Sequence, residues 1–327
     1  MRVGTMRALA ILAIGLCCGL ITPAARSACA VTQPGTTSLG ALSSLSLSTQ
    51  GNTTLVASGF TCTGGLLSVA YTQEVAASIQ SITALTNEKG DTLPLQICDS
   101  ASCASPYAAG QVISWRATSL IGLLGLFNGV GGTLPLYLRI PSGPYNVSAG
   151  TYHGSITIGW TWDVCWGLGV LGLCIGQDIQ RTPVPVTIPV EFTVTADCRL
   201  TAPDVVFTPS PFVASFGDVH QSLSVGCTRG QSYTVGISPG NHADGTSRAM
   251  SSSAGALLRY DIYKKSGSEV WGATGSARRS SATAETNADK LDGIAVQSFA
   301  YTAHILTDQA TPATGNYSDN LVIDVQF

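Results

Sequence analysis

Two parts of this chain repeat each other. Gly150-x-Tyr152-x-Gly154-x-Ile156-x-Ile158 has the spacing of Gly315-x-Tyr317-x-Asp319-x-Leu321-x-Ile323. Cys29 and Cys62, 33 residues apart, have a counterpart in Cys198 and Cys227, 29 apart. A repeat of this length points to two copies of one module, each large enough for its own core. The expected division is a targeting segment at 1–27, a first module at 28–196 and a second at 197–327.

Arg2 and Arg7 precede the apolar run 8–21, and Ala25-Arg26-Ser27 supplies small residues for cleavage before Ala28, the layout of an export signal. A lipid-anchored reading of Cys29 would need a small or aliphatic residue where Arg26 stands. Removing the signal takes three of the 16 basic residues and none of the 19 acidic ones, leaving 13 against 19. An acidic chain without a Lys/Arg stripe argues against a nucleic acid partner. Only 11% of residues are charged, where soluble domains run at about 25%, so Ser, Thr, Gly and Asn must cover the surface.

Of ten cysteines, Cys17 and Cys18 leave with the signal. The remaining eight, in an oxidising compartment, imply four disulfides. Spacing favours neighbours: Cys29 with Cys62, Cys98 with Cys103, Cys165 with Cys174, and Cys198 with Cys227. Without a C-x-x-C pair in the mature chain, and with His153, His220, His242 and His304 scattered, no metal or cofactor is expected.

Period-two alternation predicts antiparallel strands in both copies. Leu134, Leu136, Leu138 and Ile140 share one face, as do Ile156, Ile158, Trp160 and Trp162, and in the second copy Phe299, Tyr301, Ala303 and Ile305. No amphipathic helix stands out, so the class is all-β: two immunoglobulin-like sandwich modules. Val184-x-Val186-x-Ile188-x-Val190-x-Phe192-x-Val194 reads as a final strand of the first copy. Pro183, Pro185 and Pro189 fall on its odd positions and predict a sheet margin. The second copy reaches only Leu321, Ile323, Val325 and Phe327, in line with Ile156 to Trp162, so its last strand is expected to be missing. Those four residues would then edge an apolar groove, open to a strand from another chain; the plainer alternative is a sheet closed by its own loops.

The second module resembles the spore coat protein U family, which includes subunits of archaic, Csu-type chaperone–usher pili. The resemblance rests on Cys198, Phe216-Gly217, Cys227, Tyr233, Gly240, Arg248-Ala249-Met250, Leu258-x-Tyr260-x-Ile262-Tyr263, Trp271-Gly272, Tyr301 and Gly315-x-Tyr317-x-Asp319. It covers 197–327 well and the first module only through its cysteines and Gly-x-Tyr motif. It implies an incomplete pilin that a periplasmic chaperone caps, an outer-membrane usher assembles, and the N-terminal donor strand of the next subunit completes in trans. Polymerising subunits carry that donor segment ahead of their first cysteine. A mature chain beginning Ala28-Cys29 has none to give, which implies a tip adhesin with an N-terminal adhesin domain and a C-terminal pilin domain.

Two Gly-rich apolar stretches are candidate binding fingers. One, 119–132, holds Leu123, Leu124, Leu126, Phe127 and Val130; the other, 163–176, holds Trp166, Leu168, Val170, Leu171 and Leu173 in a loop closed by Cys165 and Cys174. Gly at this density opposes a helix, and the interruptions oppose a membrane span. Burial in the module's own core and contact with a neighbouring subunit are the competing accounts. The resemblance tilts toward exposed fingers that bind hydrophobic abiotic or host surfaces and support biofilm formation; the alternative is a non-adhesive structural pilus or spore-coat subunit. Cys98 to Cys103 closes a polar turn that is either a third finger's base or a stapled hairpin. Trp160 and Trp162 also permit a lectin reading, although their alternation suits a strand core. Gly236-Ile237-Ser238-Pro239-Gly240 matches G-x-S-x-G, but Pro239 lacks the amide an oxyanion hole needs and no helix follows, so no enzyme is expected.

Overall fold

The computed structural model describes residues 29–327 apart from 63–68, 120–121, 124, 128, 171 and 266. The export signal at 1–27, Leu124 and Leu171 therefore lie outside the described residues. The chain is nearly all β, arranged as two modules with separate cores.

The first module comprises β1 (Cys29–Val31), β2 (Thr37–Ser43), one helical turn α1 (Ser44–Leu47), β3 (Asn52–Ala57), β4 (Phe60–Cys62), β5 (Val69–Thr86), β6 (Thr92–Leu93), β7 (Gln96–Cys98), β8 (Val112–Ser119), β9 (Pro135–Ile140), β10 (Gly150–Val170) and β11 (Leu173–Thr195). One sheet runs β2-β11-β10-β5-β6, with β8 also on β5, and β3-β9-β7 forms another. The alternating sets at 134–140 and 156–162 point into the core between them, as do Val186, Ile188, Val190, Phe192 and Val194. Burying each such side chain contributes about 1.5–3 kcal/mol.

β11 departs from the expected sheet margin. It pairs antiparallel with β10, and its last six residues also pair in parallel with β2, from Val190 opposite Thr37 to Thr195 opposite Ser43. The prolines end at Pro189, so beyond it every amide is free to donate and a second neighbour is accepted.

The second module comprises β12 (Cys198–Thr201), β13 (Val219–Cys227), β14 (Thr234–Ile237), β15 (Arg248–Ser252), β16 (Leu257–Lys264), β17 (Arg279–Ser280), β18 (Gln297–Ile305), β19 (Tyr317–Ser318) and β20 (Ile323–Gln326). The sheets are β12-β13-β18-β16-β15-β19 and β17-β14-β20. Phe299, Tyr301, Ala303 and Ile305 fill the core as expected.

The repeated Gly-x-Tyr motif has a physical meaning. Tyr152 Oη donates to the Ser148 carbonyl at 2.6 Å, and Tyr317 Oη donates to the Ala313 carbonyl at 2.6 Å. Each tyrosine ties itself to the backbone four residues upstream, the tyrosine corner of immunoglobulin-like sandwiches. All four neighbour pairs of cysteines are disulfides. Cys98 to Cys103 is a stapled turn rather than a finger: both cysteines are buried, and Tyr107 N returns to the Ile97 carbonyl at 2.9 Å.

Candidate functional site: a stapled hairpin finger and an open groove

The Cys165 to Cys174 segment is not a loop. β10 and β11 run 21 and 23 residues, far past the sandwich, and the disulfide staples the outer end of this hairpin. Pairing continues from Cys165 opposite Gln177 to Val170 opposite Leu173, with a bulge between Cys165 and Leu168. The Gly-rich sequence is accommodated in the sheet by close approach. At Gly167 a Cβ would stand 2.0 Å from the Ile175 carbonyl oxygen, so the strands can meet there only without a side chain.

The finger's base is rigid. Trp160 is fully buried, stacks on Phe60 at 4.7 Å between ring centroids and packs 5.8 Å from Trp115; Trp162 lies 5.4 Å from Phe60. These two tryptophans are core, which removes the sugar-stacking role considered for them. Higher up, Tyr71 Oη and Gln177 Nε2 both donate to Asp163 Oδ1, at 2.6 and 2.8 Å, and Cys165 N donates to Gln73 Oε1 at 2.7 Å. Burial and the neighbouring Asp163 carboxylate push the Tyr71 hydroxyl up to about 12, so it stays protonated as a donor throughout the neutral range.

Above the base the outer face of β11 is open and carries apolar residues on either side of Gln177. Leu173 is 78% exposed and Ile175 75%, while Ile179 and Trp166 are also exposed. Leu168 and Val170 stand in register opposite Ile175 and Leu173. Ile175 and Ile179 escaped the sequence reading, which treated Cys174 as the end of the finger. The alternation Leu173-x-Ile175, carried on to Ile179, is the signal that would have found them.

The other candidate stretch divides. Leu126 and Val130 are exposed, but Leu123 is fully buried and Phe127 is half-buried, 6.0 Å from Phe60 between ring centroids. Leu123 is therefore not a finger residue. The segment turns back on itself, with Leu126 N donating to the Leu123 carbonyl at 3.0 Å, and Leu123 lies in the core while Phe127 packs against Phe60.

In the second module β20 pairs, among the described residues, with β14 alone. Between β20 and the segment 202–207 opens a cavity of 440 Å³ lined by Phe207, Leu223, Ile262, Tyr301, Leu321 and Ile323 among others. Leu321, Ile323 and Val325 pack half-buried against the core, whereas Phe327 is mostly exposed. Three arginines hold this one-sided strand and its neighbours. Arg278 donates to the Thr234 carbonyl at 2.9 Å and to Asp324 Oδ1 at 3.0 Å, bridging β14 and β20. Arg248 donates to the carbonyls of Ile237, Ser238 and Trp271 at 2.6–3.0 Å and faces Asp261. Arg279 pairs with Glu285 at 2.8 Å and lies over the Trp271 ring at 5.1 Å.

The G-x-S-x-G match is part of this scaffold. A Cβ at Gly236 would stand 2.2 Å from Arg278 Nη1, and one at Gly240 would stand 2.0 Å from Asp319 Oδ2. Ser238 Oγ accepts from Val322 N at 2.9 Å. Each position is dictated by packing around β20.

Family comparison agrees with this architecture. The spore coat protein U domain matches twice, over residues 18–159 and 185–324, and the chain belongs to that family. No curated protein sequence matches it. Among solved structures, the chaperone–tip adhesion subunit pre-assembly complex of CsuC and CsuE, from archaic chaperone–usher Csu pili of Acinetobacter baumannii, is 27% identical, with a TM-score of 0.69. The alignment covers 92% of this chain and 100% of that one. CfaE, the adhesive subunit of CFA/I fimbria of enterotoxigenic Escherichia coli, is 9% identical over 90% of this chain and 93% of that one, with a TM-score of 0.29, too distant to bear on function. The family and the Csu match support a pilus subunit rather than an enzyme, and the four disulfides fit an exported, extracellular protein.

Proposed function

We propose that this chain is the tip adhesin subunit of an archaic chaperone–usher pilus. In this reading the first module, 28–196, is the adhesive domain and the second, 197–327, the pilin-like domain. The observation that carries the reading is the hairpin finger, whose stapled outer end presents Leu173, Ile175, Ile179 and Trp166 to solvent. Contiguous exposed apolar residues mark interaction surfaces, and the partner this face suits is a hydrophobic abiotic or host surface. Each side chain buried on contact contributes about 1.5–3 kcal/mol before the cost of association. Many such tips on a cell would support biofilm formation. The likeness to a chaperone–tip adhesion subunit complex supports a periplasmic chaperone as first partner. An outer-membrane usher and the donor strand of the next subunit, seated along β20, complete the set.

The test is adsorption of the full chain to a methyl-terminated surface, beside a variant carrying Leu173→Asp and Ile175→Asp. Both residues are exposed, so circular dichroism should be unchanged while adsorption falls by at least about tenfold, the equivalent of 1.4 kcal/mol. Undiminished adsorption by the folded variant would turn the reading toward a non-adhesive structural subunit.

A further inference from the structure

Only Ala196 and Asp197 separate β11 from β12. Modules of one chain ordinarily move against each other unless the interface between them is extensive. Here three segments of the first module close around the connector. Ser43 Oγ donates to Asp197 Oδ2 at 2.7 Å, Ser44 Oγ to Thr228 Oγ1 at 3.3 Å, and Asn146 Nδ2 to the Asp292 carbonyl at 2.9 Å. Between them Arg229 Nη1 reaches Asp91 Oδ1 at 2.9 Å.

The carboxylate half of that ion pair sits in a prepared socket, while the Arg229 side chain stays 47% exposed. The Asp91 side chain is only 7% exposed, and its other oxygen accepts from the amide and the hydroxyl of Ser148. Asn87 Nδ2 bonds both Ser148 Oγ and Tyr152 Oη, and Tyr152 is the corner tyrosine that holds the Ser148 carbonyl. The first module's tyrosine corner is thus built into the joint. On the opposite side the Cys198–Cys227 disulfide ties together the strand ends that carry Asp197 and Arg229, and Thr228 N donates to the Asp197 carbonyl at 2.9 Å. Contact is close: at Gly293 a Cβ would stand 2.2 Å from Asn146 Oδ1 and 2.9 Å from Arg229 Cβ.

We infer that Arg229 and the buried Asp91 latch the two modules into one rigid body, fixing the direction of the finger relative to β20. Swinging the modules apart would take Arg229 from the buried Asp91 and leave the carboxylate only its Ser148 donors, so it is opposed. Three segments of the first module hold the second beside a two-residue connector, which leaves little chain to bend. The inference concerns the joint and holds whatever the finger binds. If the finger adheres, a pull on the second module reaches it without bending.

The test is a distance measurement on the full chain, by electron–electron resonance between spin-labelled unnatural amino acids at the exposed positions Val112 and Leu257. The unaltered joint should give one narrow distribution. Arg229→Ala should broaden it and shift its mean, and Arg229→Lys, which keeps the charge, should recover most of the narrowing. Because Arg229→Ala leaves a buried carboxylate unpaired, a milder variant, Ser44→Ala with Asn146→Ala, is measured alongside; it removes two hydrogen bonds at the joint's margins and should broaden the distribution less. A broad distribution in the unaltered chain would overturn the inference outright, as would equal widths in all folded variants.

Discussion

In the first module β10 is flanked on both edges, by β5 and β11; in the second its counterpart β20 has β14 on one edge and a 440 Å³ cavity along the other. The two sandwiches share the cysteine staple and the tyrosine corner, and β10 has in β11 a neighbour that β20 lacks among the described residues. What β11 contributes is visible in its residues. Val186, Ile188, Val190, Phe192 and Val194 are all buried, and the core they close is apolar throughout. Where no such strand lies, the core reaches solvent and buried arginines span the backbone instead. The second family match begins at residue 185, inside β11. By position β11 stands ahead of Cys198 as a donated segment stands ahead of a subunit's first cysteine, yet it completes the first module. On the proposed donor-strand reading it is a template, within the same chain, for what the groove along β20 would accept.

The largest effect should come from breaking the completed module. Ile188→Asp places an unpaired carboxylate at a fully buried position, costing more than about 4 kcal/mol and unfolding the first module. Ile323→Asp, on a half-buried strand with an open edge, should cost less than half as much. Chemical denaturation followed at separate probes in the two modules checks this, and equal penalties would deny that the second core is open.

Next in size is repair. Appending the sequence of residues 184–195 after Phe327 through a flexible linker should raise the unfolding midpoint of the second module and leave the first unchanged. Burial of five apolar side chains together with backbone pairing along the free edge of β20 offsets the ordering of the added strand, and calorimetry would register the gain as an upward shift of the midpoint. A scrambled sequence that destroys the alternation is the control, and an equal gain from it would mean that β20 needs no specific neighbour.

Removing one of the arginines should do less. Arg278→Ala takes away the bridge from Thr234 to Asp324, while Asp324 remains partly in water; a loss of about 2 kcal/mol is expected, below the 3–5 kcal/mol of a fully buried pair. If the appended strand packs as β11 does, that loss should shrink in the repaired chain, because β20 would then be held from both sides.

How much of this was readable in the residues depends on which interactions are local. Strand faces at 134–140, 156–162, 186–194 and 299–305 follow from strict alternation, and each landed in a core. Cysteine pairing followed from neighbour spacing because each pair closes a short excursion. The margin placement of β11 holds for its proline stretch, which pairs with β10, and fails beyond Pro189, because the partner there, β2, Thr-Ser-Leu-Gly-Ala-Leu-Ser, has no clean alternation and pairs in parallel across more than 150 residues. The 163–176 stretch was read as a loop because glycines that look like loop formers instead permit close strand contact at Gly167, which continues the strand and leaves Ile175 and Ile179 exposed; in the separate 119–132 stretch the chain turns back and Leu123 is buried. Nothing in the neighbourhood of Asp91 announces Arg229, 138 residues away, and a buried aspartate reads in sequence like any exposed one.

The smallest effect contrasts two carboxylates, one in each module, that should answer acid in opposite directions. Burial alone would raise Asp91, but the hydrogen bonds from Ser148 and the charge of Arg229 outweigh it and hold the group below its ordinary 3.8. A lowered folded value means stabilisation that is complete above the unfolded value and disappears as pH falls through the folded one. The advantage of the parent chain over Asp91→Asn should therefore persist down to about pH 4 and fade only below it. Asp261 is the reverse: burial beside Arg248 raises it, in spite of the hydrogen bonds from Arg248 that oppose the change. A raised carboxylate costs stability while ionised, and that cost is relieved as pH falls from the folded value toward 3.8. The parent chain should accordingly gain on Asp261→Asn in mildly acidic solution, where the Asp91 comparison stays flat. Thermal midpoints of each module measured from pH 3 to pH 7 would separate the two, since every tenfold difference in proton affinity between folded and unfolded chain is worth about 1.4 kcal/mol. Parallel curves for the two variants would show that the carboxylates share one environment, and that the closed and the open module do not differ in how they hold charge.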